Sequence, residues 1–356
     1  MSKERNIFEK REQFKPYEYP EVEKYNDAIN KTYWIHDEVK AELDEDVQDY
    51  HNKLSENDKF IISTILRTFA DTETAVLDDC WGIIGKYFPK AEFQGLGMTF
   101  AENEFRHASA YWQINELLDL TDFEPYSEDP ILSKKFENLL NNSLNVPNFD
   151  PENLDDVRRL AKGIAIFSAF TERVSLFSQF MIMRSFSSNK RSLLKGIGNI
   201  ISWSVNDENI HGLAGIWIFN QIKKEYPEIW TSEFKSEIYT AAQTVIDIEK
   251  NVLDQIFVNG DLPNLTKSDL INYMKARTND SLVRIDLDEV FNIDEEAMER
   301  VAWFEEGITT LEQVDFLDSR STDYTKKMVS FTAGTVKVTR EEMAAITKPN
   351  FLINKQ

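Results

Sequence analysis

Proline placement constrains this chain most. It has 10 prolines in 356 residues, and none falls between Pro20 and Pro89, between Pro89 and Pro125, or between Pro151 and Pro227. Proline breaks a helix interior because it lacks the N–H and clashes with the preceding turn. The gaps therefore leave room for long helices, and the apolar spacing inside them is helical rather than alternating. The run from Ser55 opens with a Ser-x-x-Asp cap and is predicted to stay helical until Pro89. A second helix is expected over Ala91 to about Leu118. A third starts after Pro151 and runs to about Phe186, where Ser187, Ser188 and Asn189 break it. A fourth covers about Arg191 to Lys224. Further helices are expected over Ser232–Phe257, Lys267–Lys275 and Asp294–Glu306. A short hairpin is a weak expectation for VSFTAGTVKV. The fold class is all-α, one large helical domain. A mobile N-terminal arm (1–30) precedes the helical domain (31–325), and a C-terminal tail (326–356) follows it.

Composition bounds the function. With 42% hydrophobic residues the chain can bury a sizeable core. The net charge of −22 argues against a nucleic-acid partner, since phosphate binding needs a surplus of Lys and Arg. The single cysteine, Cys80, rules out an intrachain disulfide. No apolar h-region opens the chain and no stretch of about 18 apolar residues occurs, so the expectation is a cytoplasmic protein without a membrane span.

The chemistry lies in the histidines. There are four: His36, His51, His107 and His211. Two of them end the same motif, Glu104-x-x-His107 and Glu208-x-x-His211, and residues three apart share a helix face. A bundle that holds two metals takes Glu-x-x-His from two helices and one Glu from each of the other two, so the expected architecture is a ferritin-like four-helix bundle core with flanking helices. Helix one has Glu73 on a face otherwise made of Leu66, Phe69, Ala70, Val76, Leu77 and Cys80. Helix three has Glu172 among Ala165, Ala169, Leu176, Gln179, Phe180 and Met183. A charge on an apolar stripe costs several kcal/mol unless it is paired or metal-bound. Two divalent cations would offset four carboxylates, and oxygen ligands with two imidazoles suit iron or manganese. For any one of these acids, pairing with Arg or Lys or facing solvent is the better explanation; six in register argue for the metal. Tyr111, four after His107, shares that face, either as a core tyrosine or as a redox-active one. His36 and His51 have no acid at ligand spacing and read as surface or supporting residues.

These residues resemble a known family. FAENEFRHASAY, FTERVSLFSQF and NDENIH are similar to the radical-generating small (beta) subunit of class I ribonucleotide reductase, from about Trp34 to Tyr324. The resemblance implies metal ligation by Glu73, Glu104, His107, Glu172, Glu208 and His211, with Glu104 and Glu208 as bridges. It implies a tyrosyl radical at Tyr111 and a pocket around it that includes Leu176, Phe180 and Ser204. It also implies long-range electron transfer through Asp207, Trp34 and Tyr324 to a large subunit that reduces ribonucleotides to deoxyribonucleotides (EC 1.17.4.1). A homodimer and a flavoprotein activator belong to the same expectation, as does docking of the tail through Phe351, Leu352 and Ile353. The metal pair is expected to be two Fe, with Mn/Fe or two Mn as alternatives, because Glu73 stands where many members have Asp. The polar Ser204 and the non-acidic end NFLINKQ also depart from the pattern. The competing reading is a stand-alone ferritin-like dimetal oxidase or oxygenase. That enzyme would have no need of Trp34, Asp207 or a tail tyrosine.

Overall fold

The computed structural model describes residues 5–121, 128–141, 144–188 and 191–308, without the side chains of 70, 71, 73–79 and 139–141. The helices, in order, are α1 (Glu23–Lys31), α2 (Lys40–Lys53), α3 (Glu56–Asp79), α4 (Ile84–Tyr87), α5 (Ala91–Leu117), α6 (Pro130–Asn141) and α7 (Leu154–Ile164). They continue with α8 (Leu176–Ser187), α9 (Lys195–Glu225), α10 (Ser232–Ile256), α11 (Lys267–Arg284) and α12 (Glu295–Glu305). Among the described residues the only β-type pairing is an isolated bridge, Leu262 to Leu265. No described helix is long and apolar enough to cross a membrane.

The bundle has four rods. α3 packs on α5, and α9 packs on a continuous rod formed by α7, a π-helical stretch over Ala165–Ser175, and α8. α10 and α11 brace the π-helical stretch from outside, while α1 lies on α5 and α2 on α9. The expected Ser55 cap forms: Ser55 Oγ accepts the Asp58 N–H at 3.1 Å, and Asp58 Oδ2 accepts the Ser55 N–H at 3.1 Å. Asp294 caps α12 by accepting the Glu296 and Ala297 N–H groups at 3.0 and 3.4 Å.

Three helices end elsewhere than the sequence predicts, each for a local reason. α3 stops at Asp79 rather than running to Pro89, because Cys80 leaves the helical region (φ −127°, ψ −86°) and turns Trp81 inward. α9 starts at Lys195, not Arg191. Arg191 is held in the preceding loop by two 2.9 Å bonds to Asp58, and Leu194 reverses the chain at φ 53°. α11 runs well past Lys275 to Arg284. Its second half buries Arg277, Thr278, Asn279 and Ser281, so it carries a polar inner face that apolar periodicity does not reveal.

The described part of the N-terminal arm is hydrogen-bonded to the bundle. Glu92, buried in the first turn of α5, accepts the N–H groups of Glu18 and Tyr19 at 2.9 and 3.1 Å and the Arg11 guanidinium at 2.8 Å. At the far end of α9, Glu225 accepts the Tyr19 hydroxyl at 2.7 Å and the Ile7 N–H at 2.6 Å. The tail, the hairpin expectation and the boundary at 325/326 lie outside the described residues.

The core comes in two apolar bodies. One gathers Trp81, Phe93, Phe100, Ile164 to Phe170 and Ile210 to Ile222; the other gathers Phe69, Tyr111, Leu176 to Phe186 and Ile197 to Val205. Glu104, His107, Glu172, Glu208 and His211, all with no accessible surface, fall at the sequence positions where the bundle helices pass from one body to the other. They form a polar layer in the middle of the bundle.

Candidate metal centre

Each rod brings its group to this layer by a different local device. α5 and α9 are regular there, so Glu104 with His107, and Glu208 with His211, share a face as the i,i+3 spacing requires. The third rod is π-helical over Ala165–Ser175, and the Leu176 backbone N–H that closes it donates to Thr171 O, five residues back. Such bulges cluster at functional sites because they re-aim side chains. Glu172 sits inside this one. α9 approaches it closely at two glycines. A Cβ on Gly212 would lie 2.9 Å from Ser168 O and 2.3 Å from Arg173 Cγ, and one on Gly215 would lie 1.7 Å from Ser168 Oγ.

One ligand atom from each of Glu104, Glu172, Glu208 and His211 lies within 4.8 Å of the others. His211 Nδ1 is 2.8 Å from Glu104 Oε1 and 3.8 Å from both Glu172 Oε1 and Glu208 Oε2. His107 Nδ1 is 3.2 Å from Glu104 Oε2 and 3.0 Å from Glu208 Oε1. Both imidazoles thus turn Nδ1 toward the carboxylates. All four carboxylate oxygens of Glu104 and Glu208 and both ring nitrogens of His211 are buried without a hydrogen-bond partner. Buried polar groups are nearly always satisfied, and these atoms are oxygen and imidazole donors of the kind that hold hard or borderline cations. The donor set fits a metal centre.

The electrostatics fit as well. Burial alone pushes the Glu104 carboxyl up, but the imidazoles of His211 and His107 outweigh it and hold the group below the usual range. Burial and the neighbouring Glu104 charge push Glu208 the other way, upward. Two carboxylates this close cannot both be comfortable as anions without added positive charge.

Glu73 is the exception among the predicted ligands. Its backbone lies on α3, but its side chain is not among those described. Tyr324 likewise lies outside the described residues. His36 and His51 are not part of the layer; His51 is exposed beside Tyr50, and His36 is 3.9 Å from its neighbour Asp37.

The other predicted residues fall into a chain. Asp207 Oδ2 sits 3.1 Å from His107 Nε2 and accepts the indole N–H of Trp34 at 2.8 Å. The rings of Trp34 and His107 are nearly parallel, 14° apart with centroids at 5.6 Å. Tyr111 is buried with its ring centroid 6.3 Å from that of His107. Leu176 and Phe180 belong to the same apolar body as Tyr111. The ring that contacts Tyr111 is Phe69, at 4.9 Å, and Phe180 packs behind Phe69 at 5.1 Å. Ser204 is buried, but its hydroxyl is spent on Ile200 O of its own helix at 3.1 Å.

Sequence reasoning missed four supporting residues. Trp81 Nε1 donates to Glu172 Oε1 at 2.6 Å; nothing in the sequence signals it, because it depends on the break at Cys80. Phe100 stacks on His211 with centroids 4.1 Å apart. Asn103 donates to Asp207 Oδ2 at 2.9 Å, and Arg106 donates to the backbone oxygen of Trp34 at 2.9 Å. Asn103 lies four residues before His107, so helical spacing was a usable signal for it.

Comparisons with known proteins bear on the family and the fold. The family model described as "Ribonucleotide reductase, small chain" matches residues 11–298. The "Probable ribonucleoside-diphosphate reductase small subunit 048L" of Invertebrate iridescent virus 3 is 27% identical over 327 residues, covering 88% of this chain and 84% of the relative. The ribonucleoside-diphosphate reductase subunit beta of Chlamydia pneumoniae is 25% identical over 278 residues, covering 77% of this chain and 78% of the relative. Among solved structures, the ribonucleotide reductase R2 subunit from Clostridium botulinum superposes with a TM-score of 0.70 at 18% identity, over 82% of this chain and 88% of that one. The dimanganese(II)-NrdF of Streptococcus sanguinis gives 0.68 at 18% identity, over 85% and 100%; both structures speak for the fold. With four-fifths of its length matched and its buried carboxylates and imidazoles converging in one layer, the chain belongs to the ribonucleotide reductase small-chain family.

Proposed function

We propose that this chain is the radical-generating half of a ribonucleoside-diphosphate reductase, with Tyr111 as the residue oxidised and Asp207 and Trp34 as the route outward. The observation that carries the reading is the run Tyr111, His107, Asp207, Trp34: four buried groups that lead from the carboxylate layer without a gap wider than a ring contact. Glu73, Glu104, His107, Glu172, Glu208 and His211 would hold two metal ions. When bound, such a pair supplies the oxidising power and neutralises the carboxylates.

The chain's own residues do the rest. Asp207 accepts from Trp34, Asn103 and His107 on one oxygen, so it acts as an anion that orders three donors. Taking the His107 Nε2–H fixes the tautomer and leaves Nδ1 as the donor atom for a cation. Tyr111 would give one electron to the loaded metal pair and its phenol proton to a base of the carboxylate layer, in an apolar pocket (Phe69, Leu176, Phe180) that protects an oxidised phenol from quenching. An electron entering through Trp34 restores it, passing the oxidising equivalent outward. Tyr324 would carry that equivalent to the large subunit, and the tail from 326, with Phe351, Leu352 and Ile353, would dock there.

The small subunit works with a large subunit and as a homodimer, in a cytoplasmic setting. Two Fe is the preferred occupant. A structural neighbour titled as a dimanganese(II) protein makes two Mn, or Mn with Fe, the alternatives to load, the manganese forms with a flavoprotein activator. The competing stand-alone oxidase has no use for the link from His107 to Trp34 and is not favoured. The test is aerobic loading with iron or manganese, metal counting, and low-temperature paramagnetic resonance, followed by ribonucleotide reduction with a large subunit. The expected result is two metals per chain in wild type and in Tyr111→Phe, with the organic radical and the activity absent from the variant. An unchanged radical in Tyr111→Phe would overturn the assignment.

A further inference from the structure

A second concave site lies behind the metal layer. α1, α9, the π-helical stretch, α11 and α12 line an open cavity of about 580 Å³, a size typical of small-molecule sites. Its walls carry four cations, Lys24, Arg173, Arg277 and Arg284, against two carboxylates, Asp280 and Glu305. On a chain of net charge −22 most of the surface repels anions. Here two positive charges are in surplus. Tyr25, Leu213 and Met298 add apolar surface to the same cavity.

Both carboxylates are already engaged. Asp280 accepts from Arg173 Nη2 at 2.5 Å and from Arg284 Nε at 2.7 Å. Glu305 accepts from Arg277 Nη1 at 2.9 Å and from the Tyr273 hydroxyl. Arg277 is only 7% exposed, and its guanidinium lies 3.6 Å from the centre of the Phe177 ring. Its Nη2 is buried with no hydrogen-bond partner among the described residues. Buried donors are nearly always satisfied, and leaving them without an acceptor costs free energy. Arg284 and Lys24 are both exposed, and Lys24 Nζ lies 4.6 Å over the Tyr25 ring. A guanidinium fork matches the oxygens of a phosphate or carboxylate. The surplus of two charges favours a dianion, and a phosphate monoester is close to one at pH 7.

We propose that this cavity binds a small phosphate monoester, with its dianionic head on Arg277, Arg284 and Lys24 and its organic part against Tyr25, Leu213 and Met298. A monocarboxylate would leave one of the two surplus charges uncompensated. Such a ligand bears on the metal layer from behind. Arg173 and Asn209 directly follow Glu172 and Glu208 in the chain, and Arg173 Nη1 donates to Asn209 Oδ1 at 3.0 Å. Arg277 Nε in turn donates to the backbone oxygen of Arg173 at 2.5 Å. A phosphate held by Arg277 therefore braces α11 against the two rods that carry Glu172 and Glu208. The site needs neither the metals nor the radical to be occupied.

The experiment uses the full chain without metal, so that phosphate cannot act by chelation. The probe is phenyl phosphate, followed by titration calorimetry and by the rise in melting temperature. Wild type is expected to take up one equivalent with a dissociation constant of about 0.1 mM or tighter. Inorganic phosphate has the head without the ring, and benzoate has the ring with a single charge. Each is expected to bind at least about tenfold more weakly. Arg284→Glu and Lys24→Glu alter exposed side chains, so the fold stays intact, and each is expected to weaken phenyl phosphate about tenfold or more. Arg277→Lys keeps the charge, loses the fork and is expected to weaken it by a similar factor. Lys53→Glu makes the same charge change at a 61% exposed side chain outside the cavity and is expected to match wild type. Absence of binding up to about 10 mM would overturn the proposal. So would an equal loss in Lys53→Glu and Arg284→Glu, or either control anion binding as tightly as phenyl phosphate.

Discussion

The indole N–H of Trp81 donates to Glu172 Oε1 at 2.6 Å, so a residue just past the end of one rod fixes a carboxylate in the π-helical turn of another. Trp81 also packs edge-on to Phe100 and Phe167, at 4.7 and 5.4 Å.

Replacing Trp81 with Phe removes that donor and keeps most of the apolar packing. A buried carboxylate oxygen that loses its donor costs about 1–3 kcal/mol. The metal-free protein is expected to melt several degrees lower by calorimetry. Two metals per chain should still bind, but more weakly in a competition assay with a chelator. An unchanged metal affinity would show that Glu172 needs no such anchor.

Asp207→Asn tests the route outward. The amide matches the carboxylate in size but not in charge, and only one of its two polar atoms can accept from Trp34, Asn103 and His107. Loss of such an outer partner lowers activity by about 10–100-fold. The expected outcome is a Tyr111 radical of near-normal yield by paramagnetic resonance, with ribonucleotide reduction in the presence of the large subunit reduced by at least that factor.

Gly215→Ala should destabilise the bundle where α9 crosses the π-helical stretch, because the added methyl meets the Ser168 hydroxyl at 1.7 Å. Overpacking of this kind costs about 1–3 kcal/mol. Gly95→Ala is the control. Its Cβ meets nothing within 4 Å, and removing a helical glycine should stabilise by about 0.5–1 kcal/mol. Chemical denaturation of the two variants reads both signs.

Asp46 of α2 accepts the Ile197 N–H at 2.7 Å at the start of α9. Burial pushes its carboxyl up to about 7, although the backbone N–H groups of Ile197, Lys195 and Gly196 pull the other way. Below about pH 4 the group is protonated in both folded and unfolded chains. Between there and about pH 7 the unfolded chain releases its proton and the folded chain keeps it, so this stabilising contribution is lost as pH rises through that window and levels off above it. Asp46→Asn should flatten the slope of melting temperature against pH over that range.

Asp58, bridged to Arg191, works in the opposite sense. Burial raises its carboxyl, but Arg191 and Ser55 hold it below the ordinary value. Its stabilising contribution is present at neutral pH and fades as pH falls below about 4. Asp58→Asn should melt lower at pH 7 and converge on wild type in acid.

What the sequence made legible follows from what helical spacing can carry. Glu104, His107, Glu208 and His211 lie three apart on regular helices, so their common face was readable. Glu172 was readable as a charge on an apolar run, but its π-helical setting was not, because a backbone hydrogen bond to the fifth residue leaves no side-chain pattern. The inward turn of Trp81 hinges on one non-helical residue, Cys80. The anchoring of the arm depends on Glu92 and Glu225, far away in sequence, each of which reads as an ordinary solvated acid.

The polar layer between the two apolar bodies has a consequence for the protein's lifetime in the cell. Until cations arrive, the two apolar bodies meet across buried carboxylates offset only by the imidazoles of His107 and His211 and the Trp81 indole N–H, which makes this layer costly to bury. Bound cations would offset that cost by mass action, and a chain without them would spend more time unfolded and open to proteases. Mineral scarcity would therefore thin out the polypeptide itself as well as its loaded form.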